Sequence, residues 1–228
     1  MGWFNQLMGL EARNANTKTN TNTNTTAGDH WPTTGPLGLA PGKQIMFDTT
    51  LKLLFDGNST VVVPGTQQVW GLGIIDLWQS NWLLRYYMND QDYWLQVHTR
   101  GDIVGQVESV ILFNYLSCVG INTEEELRRL AGPESLIGLP TYTYDGVEYT
   151  REWGTEAGQT ELVALSESVS GLDESYIMQH HSMLYSRDTG LTDRREFLLF
   201  SVEEDAEGFV ALSISLGISL YTTDLNTF

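Results

Sequence analysis

The fold class is indicated by the stretch Thr141-Tyr142-Thr143-Tyr144-Asp145-Gly146-Val147-Glu148-Tyr149-Thr150. An Asp-Gly pair between two alternating runs is a strong sequence signal for a two-residue β-hairpin turn. In such a hairpin Tyr144 lies opposite Val147, and Tyr142 lies opposite Tyr149. The three tyrosines and the valine then share one face, and polar residues share the other. The stretch predicts a strand-dominated protein but no activity.

The same every-other-residue pattern recurs through most of the chain, which indicates β-strands. Glycines inside these segments, such as Gly71, Gly73 and Gly217, indicate bulges or close approach of another group to the backbone. We predict a mainly β protein, with α+β as the alternative, in which antiparallel strands form a barrel or a sandwich with a few short helices. The predicted strands are Thr60–Val63, Gln67–Leu77, Trp82–Met88, Tyr93–Thr99, Gln106–Ser117, Pro140–Tyr144, Val147–Trp153, Thr160–Ser168, Met183–Arg187, Arg195–Val202 and Phe209–Leu220.

Short helices are predicted between some of these strands. Thr123-Glu124-Glu125-Glu126 is a capping box, and the helix that it begins should stop at Gly132. Asp48 to Phe55 predicts a second, brief helix capped by Asp48. The segment from Asp173 to His181 fits either a short helix or a loop.

Residues 1–43 differ in composition from the rest of the chain. Apolar residues near the start have rough helical spacing, and Asn14 to Thr26 is almost entirely Asn and Thr. A stretch with so little to bury predicts a disordered tether, which a Gly- and Pro-rich segment extends. We expect a β-rich domain over residues 44–228, either undivided or built from two packed strand groups that divide near 120–140.

The charge balance is strongly acidic, with 29 acidic and 12 basic residues and a net charge of -17 over 228 residues. Such a surface repels phosphate backbones, so we expect no nucleic-acid binding. It favours a cationic partner, although many soluble bacterial proteins are acidic simply because charge keeps them apart.

Cys118 is the single cysteine, which excludes an intrachain disulfide and predicts a small core residue. No apolar run is long enough to span a bilayer, so no transmembrane segment is expected. The first ten residues have no basic region and too short an apolar run for a secretory signal. A cytoplasmic location is the default expectation.

Motifs for cofactors, metals and nucleophiles are missing from the sequence. The adjacent His180 and His181 point in different directions on any regular element, which disfavours a shared metal ion. The Gly71-Leu72-Gly73 run has no third glycine and no following helix, so it does not predict a nucleotide site. The acidic residues around Glu203 fit a solvated turn better than a site. We predict no metal, no cofactor and no identifiable catalytic residue.

Groups that combine an arginine, an aromatic ring and an acid are the remaining candidates for a ligand or partner surface. In a structural interpretation the arginines stack on rings and pair with carboxylates at the rim of a barrel. In a functional interpretation they line a groove for a peptide, a polyamine or a partner's strand edge. The candidate residues are Arg85, Tyr87, Arg151, Trp153, His181, Arg187, Arg195 and Glu196.

The chain also resembles the bacterial YjfK-like family, a domain of unknown function, over roughly Val61 to Leu225. The resemblance rests on several blocks together and on none of them alone. These blocks are Leu84–Tyr87 with Leu95–Val97, Ile137–Tyr142, Tyr149–Trp153, Ser182–Arg187, Arg195–Leu199 with Val202–Asp205, and Thr223–Leu225.

The resemblance implies a cellular context and no chemistry. Genes of such proteins tend to lie beside those of phage-shock-protein-A-like membrane-remodelling proteins and glutathionylspermidine-synthetase-like ligases. This context suits an accessory protein in the cytoplasm, peripheral to the inner membrane, that binds a membrane-associated partner or a cationic ligand.

Three functions stay open on the sequence. The first is an interaction protein that binds a partner in a membrane-stress or envelope-associated system through its strand surface or its N-terminal segment. The second is a hydrolase or transferase that acts on a polyamine or peptide conjugate. A pocket with convergent Arg, His and Glu side chains would favour this function. The third is a carbohydrate-binding module that uses exposed aromatic rings.

Overall fold

A computed structural model describes residues 32–171 and 175–228 of the chain. Within these ranges strands dominate and helices are few and short, which confirms the predicted fold class. The helices are α1 (Leu51–Phe55) and α2 (Glu124–Ala131), with 3-10 turns at Pro36–Gly38 and Thr222–Asp224. The strands are β1 (Gln44–Phe47), β2 (Gln67–Asp76), β3 (Asn81–Met88), β4 (Tyr93–Arg100), β5 (Gln106–Ile121), β6 (Thr141–Tyr144), β7 (Val147–Arg151), β8 (Val163–Gly171), β9 (Ser175–Asp188), β10 (Arg195–Glu204), β11 (Val210–Leu220) and β12 (Leu225–Thr227).

Eight of the strands close into an antiparallel barrel. Their order around the barrel is β2, β3, β4, β5, β11, β10, β9 and β8, and β8 pairs again with β2. Closure gives each barrel strand a neighbour on both sides over at least part of its length, so the barrel leaves few free edges. The remaining strands are additions, because β1 and β12 extend the sheet beside the start of β2, while β7 and β6 extend it beside β9.

Strand β8 shows which face of the sheet is the barrel interior. Ala164 and Ser166 are exposed on one face of β8, while Glu167 and Val169 on the other face are only 0% and 2% exposed. A side chain that is buried without a covering layer must point into the barrel. The barrel interior is therefore lined by the side chains that lie on the same face of the sheet as Glu167, both on β8 and on the other seven strands.

The opposite, outer face of the strands carries the largest apolar cluster. It includes Leu84 and Leu198 from the barrel, and it is covered by residues from outside the barrel, such as Phe55, Leu127 and Ile137. Burial of these side chains supplies most of the hydrophobic stabilisation, at about 25 cal/mol per Å² of apolar area.

The hairpin predicted from the Asp-Gly pair has the expected register. Tyr144 pairs with Val147 and Tyr142 with Tyr149, while Asp145 and Gly146 both have positive φ, as a type I′ turn requires. The three tyrosines and the valine all join the outer apolar cluster. The predicted face is therefore the buried face.

The capping box predicted for α2 is formed in part, because the Glu126 carboxylate contacts Asn122 in place of Thr123. The Thr123 hydroxyl accepts a hydrogen bond from the Glu126 backbone N–H at 3.1 Å, and the Glu126 carboxylate accepts one from the Asn122 N–H at 2.8 Å. Both contacts satisfy donors at the helix start that would otherwise lack a partner.

Several local predictions were wrong. The described part of the segment between Asp173 and His181 is strand, because β9 begins at Ser175 and pairs with β8 and β10. The segment Thr60–Val63 is not a strand. Cys118 is exposed, because β5 extends beyond β4 and its last residues lack a neighbour on one side. The short strands β1 and β12 were not predicted.

The predicted tether lies only partly within the described residues. Residues 32–43 are described, and in them Leu39 is 0% exposed and belongs to the outer apolar cluster. Packing therefore begins before residue 44. The apolar segment and the Asn/Thr run lie outside the described residues, so the proposed division of the chain stays a prediction. In the part of the chain that the structure describes, no helix has the length and apolar character to cross a membrane.

Candidate functional site

Small residues make room for polar groups inside the barrel. A Cβ atom on Gly73 would lie 1.6 Å from the Oε1 atom of Glu167, so only glycine lets that carboxylate cross strand β2. Strands β9, β10 and β11 contribute the buried serines Ser182, Ser201 and Ser213 to the same interior. The interior is thus narrow, and its polar groups meet across strands.

A buried ion pair lies at the centre of the interior. The Arg85 guanidinium is 2.9 Å from the Glu167 carboxylate, and the two side chains are 4% and 0% exposed. The Tyr87 hydroxyl donates a hydrogen bond to Glu167 at 2.7 Å, and the Arg85 Nε–H donates one to Gln96 at 3.4 Å. The Arg85 guanidinium also lies 4.9 Å from the centre of the Trp94 ring, at a cation–π distance.

The electrostatics of this pair fix its charge state. Burial alone would raise the pKa of Glu167, but attraction to Arg85, the adjacent His180 ring and the hydrogen bond from Tyr87 lower this pKa to about 2. Burial would lower the pKa of Arg85, but attraction to Glu167 raises it. Burial and the Glu167 charge both raise the pKa of Tyr87. At neutral pH the pair is therefore ionised and Tyr87 is a neutral phenol.

His180 lies between two carboxylates. Its Nε2 atom is 2.7 Å from Glu167, and its Nδ1 atom is 3.8 Å from Glu203. The Nε2–Glu167 distance suits an ion pair, but the angle does not meet hydrogen-bond geometry. The ring is held in place by Ser201, whose hydroxyl is 3.1 Å from Nδ1. His180 therefore connects the buried pair to the surface of the cavity described next.

An open cavity of about 250 Å³ lies above this network, at the end of the barrel where the β3–β4 turn lies. Aromatic rings dominate its walls, and Trp70 stacks on Tyr87 with 5.7 Å between the ring centres. Seven of the eight barrel strands contribute to it, which places it at the mouth of the barrel. The lining residues are Trp70, Tyr87, Met88, Gln91, Tyr93, Tyr115, Val169, Tyr176, Met178, His180 and Glu203.

The cavity can hold a small molecule against polar side chains that include His180 and Glu203. The Glu203 side chain is 22% exposed and accepts a hydrogen bond from the Ser213 hydroxyl at 2.7 Å. No cluster of three or more metal-ligating side chains occurs in residues 32–171 and 175–228. The arrangement therefore suits recognition through stacking, charge and hydrogen bonds.

Sequence comparison places the chain in a family. The sequence profile described as "Protein of unknown function (DUF2491)" matches residues 3–226, which is nearly the whole chain. The chain belongs to the DUF2491 family. It is also 26% identical to the Uncharacterized protein YjfK of Escherichia coli (strain K12) over 200 residues, which cover 84% of this chain and 90% of that protein. No solved structure matches this DUF2491 chain. The resemblance stated from the sequence is thereby confirmed.

Two of the predicted ligand or partner residues, Arg85 and Tyr87, lie at the site. Arg85 belongs to the buried network beneath the cavity, and Tyr87 forms part of its wall. In this DUF2491 protein Arg85 is 3% exposed, so it can affect a ligand only through its contact with Glu167, which in turn positions Tyr87.

Arg187 and Glu196 form a separate network on the outer face. The Arg187 Nε–H donates to the Glu196 carboxylate at 2.7 Å, and the Tyr149 hydroxyl donates to it at 2.6 Å. The Ser59 hydroxyl and the Thr60 N–H donate to the same carboxylate. The network anchors the segment after α1 to strands β9 and β10, which is a structural role.

The other four predicted residues are dispersed. Arg151 donates to the backbone carbonyls of three surrounding residues, one of them Gly158 at 2.8 Å. Trp153 packs against the apolar residues at the opposite end of the interior. Arg195 pairs with Glu152 at 2.7 Å on the rim, and His181 is buried on the outer face. The structure does not bring these four residues to the cavity.

Several residues of the site were missed from the sequence, namely Glu167, His180, Glu203, Tyr115 and Trp70. His180 was considered only as a metal ligand, and Glu203 only as part of a turn. One usable signal exists, since Glu167 alternates with Leu165 and Val169 on the apolar side of its strand. A carboxylate at such a position predicts a buried charge that needs a partner.

Proposed function

We propose that this protein binds a small molecule in the cavity at the open end of the barrel. The observation that carries the proposal is the convergence of aromatic rings, His180 and Glu203 from six strands on one cavity of about 250 Å³. Its volume lies slightly below the range of roughly 300–1,000 Å³ that is typical of ligand sites, which favours a compact ligand.

The buried network supports this proposal because it holds the cavity wall rigidly. Tyr87 and His180 belong to both the wall and the network, and their polar atoms lie within 2.7 Å of Glu167. Groups that are fixed before binding lose little conformational entropy when the ligand arrives. Burying a polar network of this kind costs free energy, and a role in ligand recognition would explain why the protein keeps it.

The test is a cavity-filling substitution with a matched control. Met178 lines the cavity, while the adjacent Ile177 is 49% exposed on the other face of β9. Wild-type protein, Met178→Trp and Ile177→Trp are purified and screened against a library of metabolites by thermal shift. Binding of any hit is then measured by titration calorimetry.

We expect a hit that binds wild-type protein and Ile177→Trp alike and does not bind Met178→Trp. A hit that binds all three proteins equally would place its site elsewhere, and a library without any hit would count against the proposal. Mass analysis of the bound compound tests the alternative of a hydrolase or transferase, since a turned-over ligand would change mass.

A second candidate function is protein binding through a free strand edge, as the interaction-protein prediction requires. Strand β5 pairs with β4 only as far as Asn114, although it continues to Ile121. Leu116 and Val119, in the extension, are 37% and 49% exposed. An unpaired, uncharged edge can accept an added strand.

The surroundings of this edge specify the partner's chemistry. Exposed acidic residues lie on the β3–β4 turn beside it, at Asp90 and Asp92, and just beyond its end, at Glu124 and Glu125. The complementary partner is an extended apolar segment flanked by Lys or Arg. The expectation of a membrane-associated partner rests on the family resemblance alone.

Display of random peptides on the full-length protein tests this second candidate. Peptides that bind should be apolar with basic flanks, and they should be lost on Val119→Lys but kept on Leu53→Lys, a control at an exposed α1 residue that is 80% accessible. Enrichment of acidic peptides, or of none, would contradict it.

A further inference from the structure

The carboxylate that lines the cavity has no Lys or Arg partner among the described residues. Arg85 and Glu167 neutralise each other at 2.9 Å beneath the floor. Glu203 is the one carboxylate among the described lining residues, and no described Lys or Arg forms an ion pair with it. The wall therefore presents a carboxylate that forms no ion pair with any described Lys or Arg.

The aromatic lining adds a second preference for positive charge. Trp70, Tyr87, Tyr93 and Tyr115 all border the cavity, and the faces of such rings carry partial negative charge. Burial, with the charge of Glu203 adding to it, raises the pKa of Tyr115, and Tyr87 is likewise held neutral. Both side chains are therefore neutral phenols at neutral pH, and it is their ring faces that attract cations.

The charge of the whole chain acts in the same direction. A net charge of -17 produces a negative potential that raises the local concentration of cations and lowers that of anions. An anionic ligand would meet this potential and then the Glu203 carboxylate. A neutral ligand would leave that carboxylate without a charged partner.

From these observations we propose that the ligand is a small organic cation, whose ammonium group lies against Glu203 and the ring faces of Trp70 and Tyr115. This inference deepens the proposed function and rests on it. The ammonium group would supply a countercharge to Glu203, and its alkyl groups would contact the aromatic walls. A compact ammonium head is the size that the cavity suits.

The experiment uses three probes of nearly the same shape and different charge. They are choline, the uncharged dimethylbutanol in which carbon replaces the nitrogen, and the carboxylate tert-butylacetate. Butylammonium serves as a primary amine. Binding to the full-length protein is followed by titration calorimetry and by the fluorescence of its tryptophans at neutral pH. Two variants, Glu203→Gln and Glu207→Gln, each remove one negative charge from the same hairpin, but only Glu203 lines the cavity.

We expect at least one of the two cations to bind, and the alcohol and the carboxylate to bind at least about tenfold more weakly. Glu203→Gln should weaken cation binding by about tenfold, while Glu207→Gln should change it by less than about twofold. Equal binding of the uncharged probe, or full binding to Glu203→Gln, would overturn the inference, as would failure of both cations to bind. If the inference is overturned but a neutral compound from the metabolite library binds in the cavity, the proposed function of small-molecule binding still stands.

Discussion

The buried pair of Arg85 and Glu167 gives the sharpest prediction of stability. Arg85→Met keeps an unbranched side chain in place but leaves Glu167, which is 0% exposed, without its countercharge. Loss of one partner of a buried ion pair typically costs about 3–5 kcal/mol of unfolding free energy. For a chain of 228 residues this corresponds to a fall in melting temperature of roughly 6–20 °C.

The double variant Arg85→Met/Glu167→Gln separates the pair from its two members. Because it leaves no buried charge unpaired, it should lose clearly less stability than the sum of the two single variants, with a coupling energy of about 2–3 kcal/mol. Urea unfolding at neutral pH, followed by tryptophan fluorescence and circular dichroism, supplies the free energies.

Arg100→Met is the matched control for this experiment. Its guanidinium side chain is 68% exposed and lies 3.9 Å from Glu108, so its loss should cost less than about 1 kcal/mol. Two groups in direct contact must couple. If the stability loss of the double variant equals the sum of the losses of the two single variants to within about 0.5 kcal/mol, the reasoning is refuted.

Three further predictions follow from the same contacts. Gly73→Ala places a Cβ atom 1.6 Å from Glu167 and should lower the free energy of unfolding in urea by about 1–3 kcal/mol. Gly65→Ala, whose Cβ would have no atom within 4 Å, should lower it far less. Equal losses of stability in the two variants would contradict the close approach of Glu167 to Gly73. Because folding lowers the pKa of Glu167, its ionised form adds roughly 3 kcal/mol to the free energy of unfolding above its unfolded pKa of about 4.5, and this contribution is lost as pH falls toward about 2. Glu167→Gln should lack this contribution. If this variant loses stability in acid just as the wild type does, Glu167 is not the source of the loss. Glu196→Gln should loosen the segment around Ser59, visible as faster hydrogen exchange there, while unchanged exchange would show that the Arg187 network does not anchor it.

The secondary structure was largely predictable because its signals are local. The turn at Asp145 and Gly146 fixes a register over a few residues, and the capping box at Thr123 acts within one helical turn. The strand that begins at Ser175 was harder to predict, since its pairing with β8 and β10 decides its conformation. Short edge strands such as β1 depend in the same way on a partner that is distant in sequence.

The candidate site was largely unpredictable because barrel closure creates it. Arg85 and Glu167 are separated by 82 positions in sequence, and they meet only because β8 pairs with β2 across Gly73. With 29 acidic residues in the chain, no local pattern singles out Glu203. Of the arginine-containing groups found from the sequence, only the one at Arg85 belongs to the site, because the others finish the rim and the outer face.

The most direct test of the account is an experimental structure of the protein purified from cells or soaked with choline. We predict density for a compact molecule in the barrel mouth, in contact with Glu203 and the ring of Trp70, above an intact contact between Arg85 and Glu167. A barrel mouth filled by the side chains of Tyr87 and Tyr115, with ligand density elsewhere on the molecule, would contradict it.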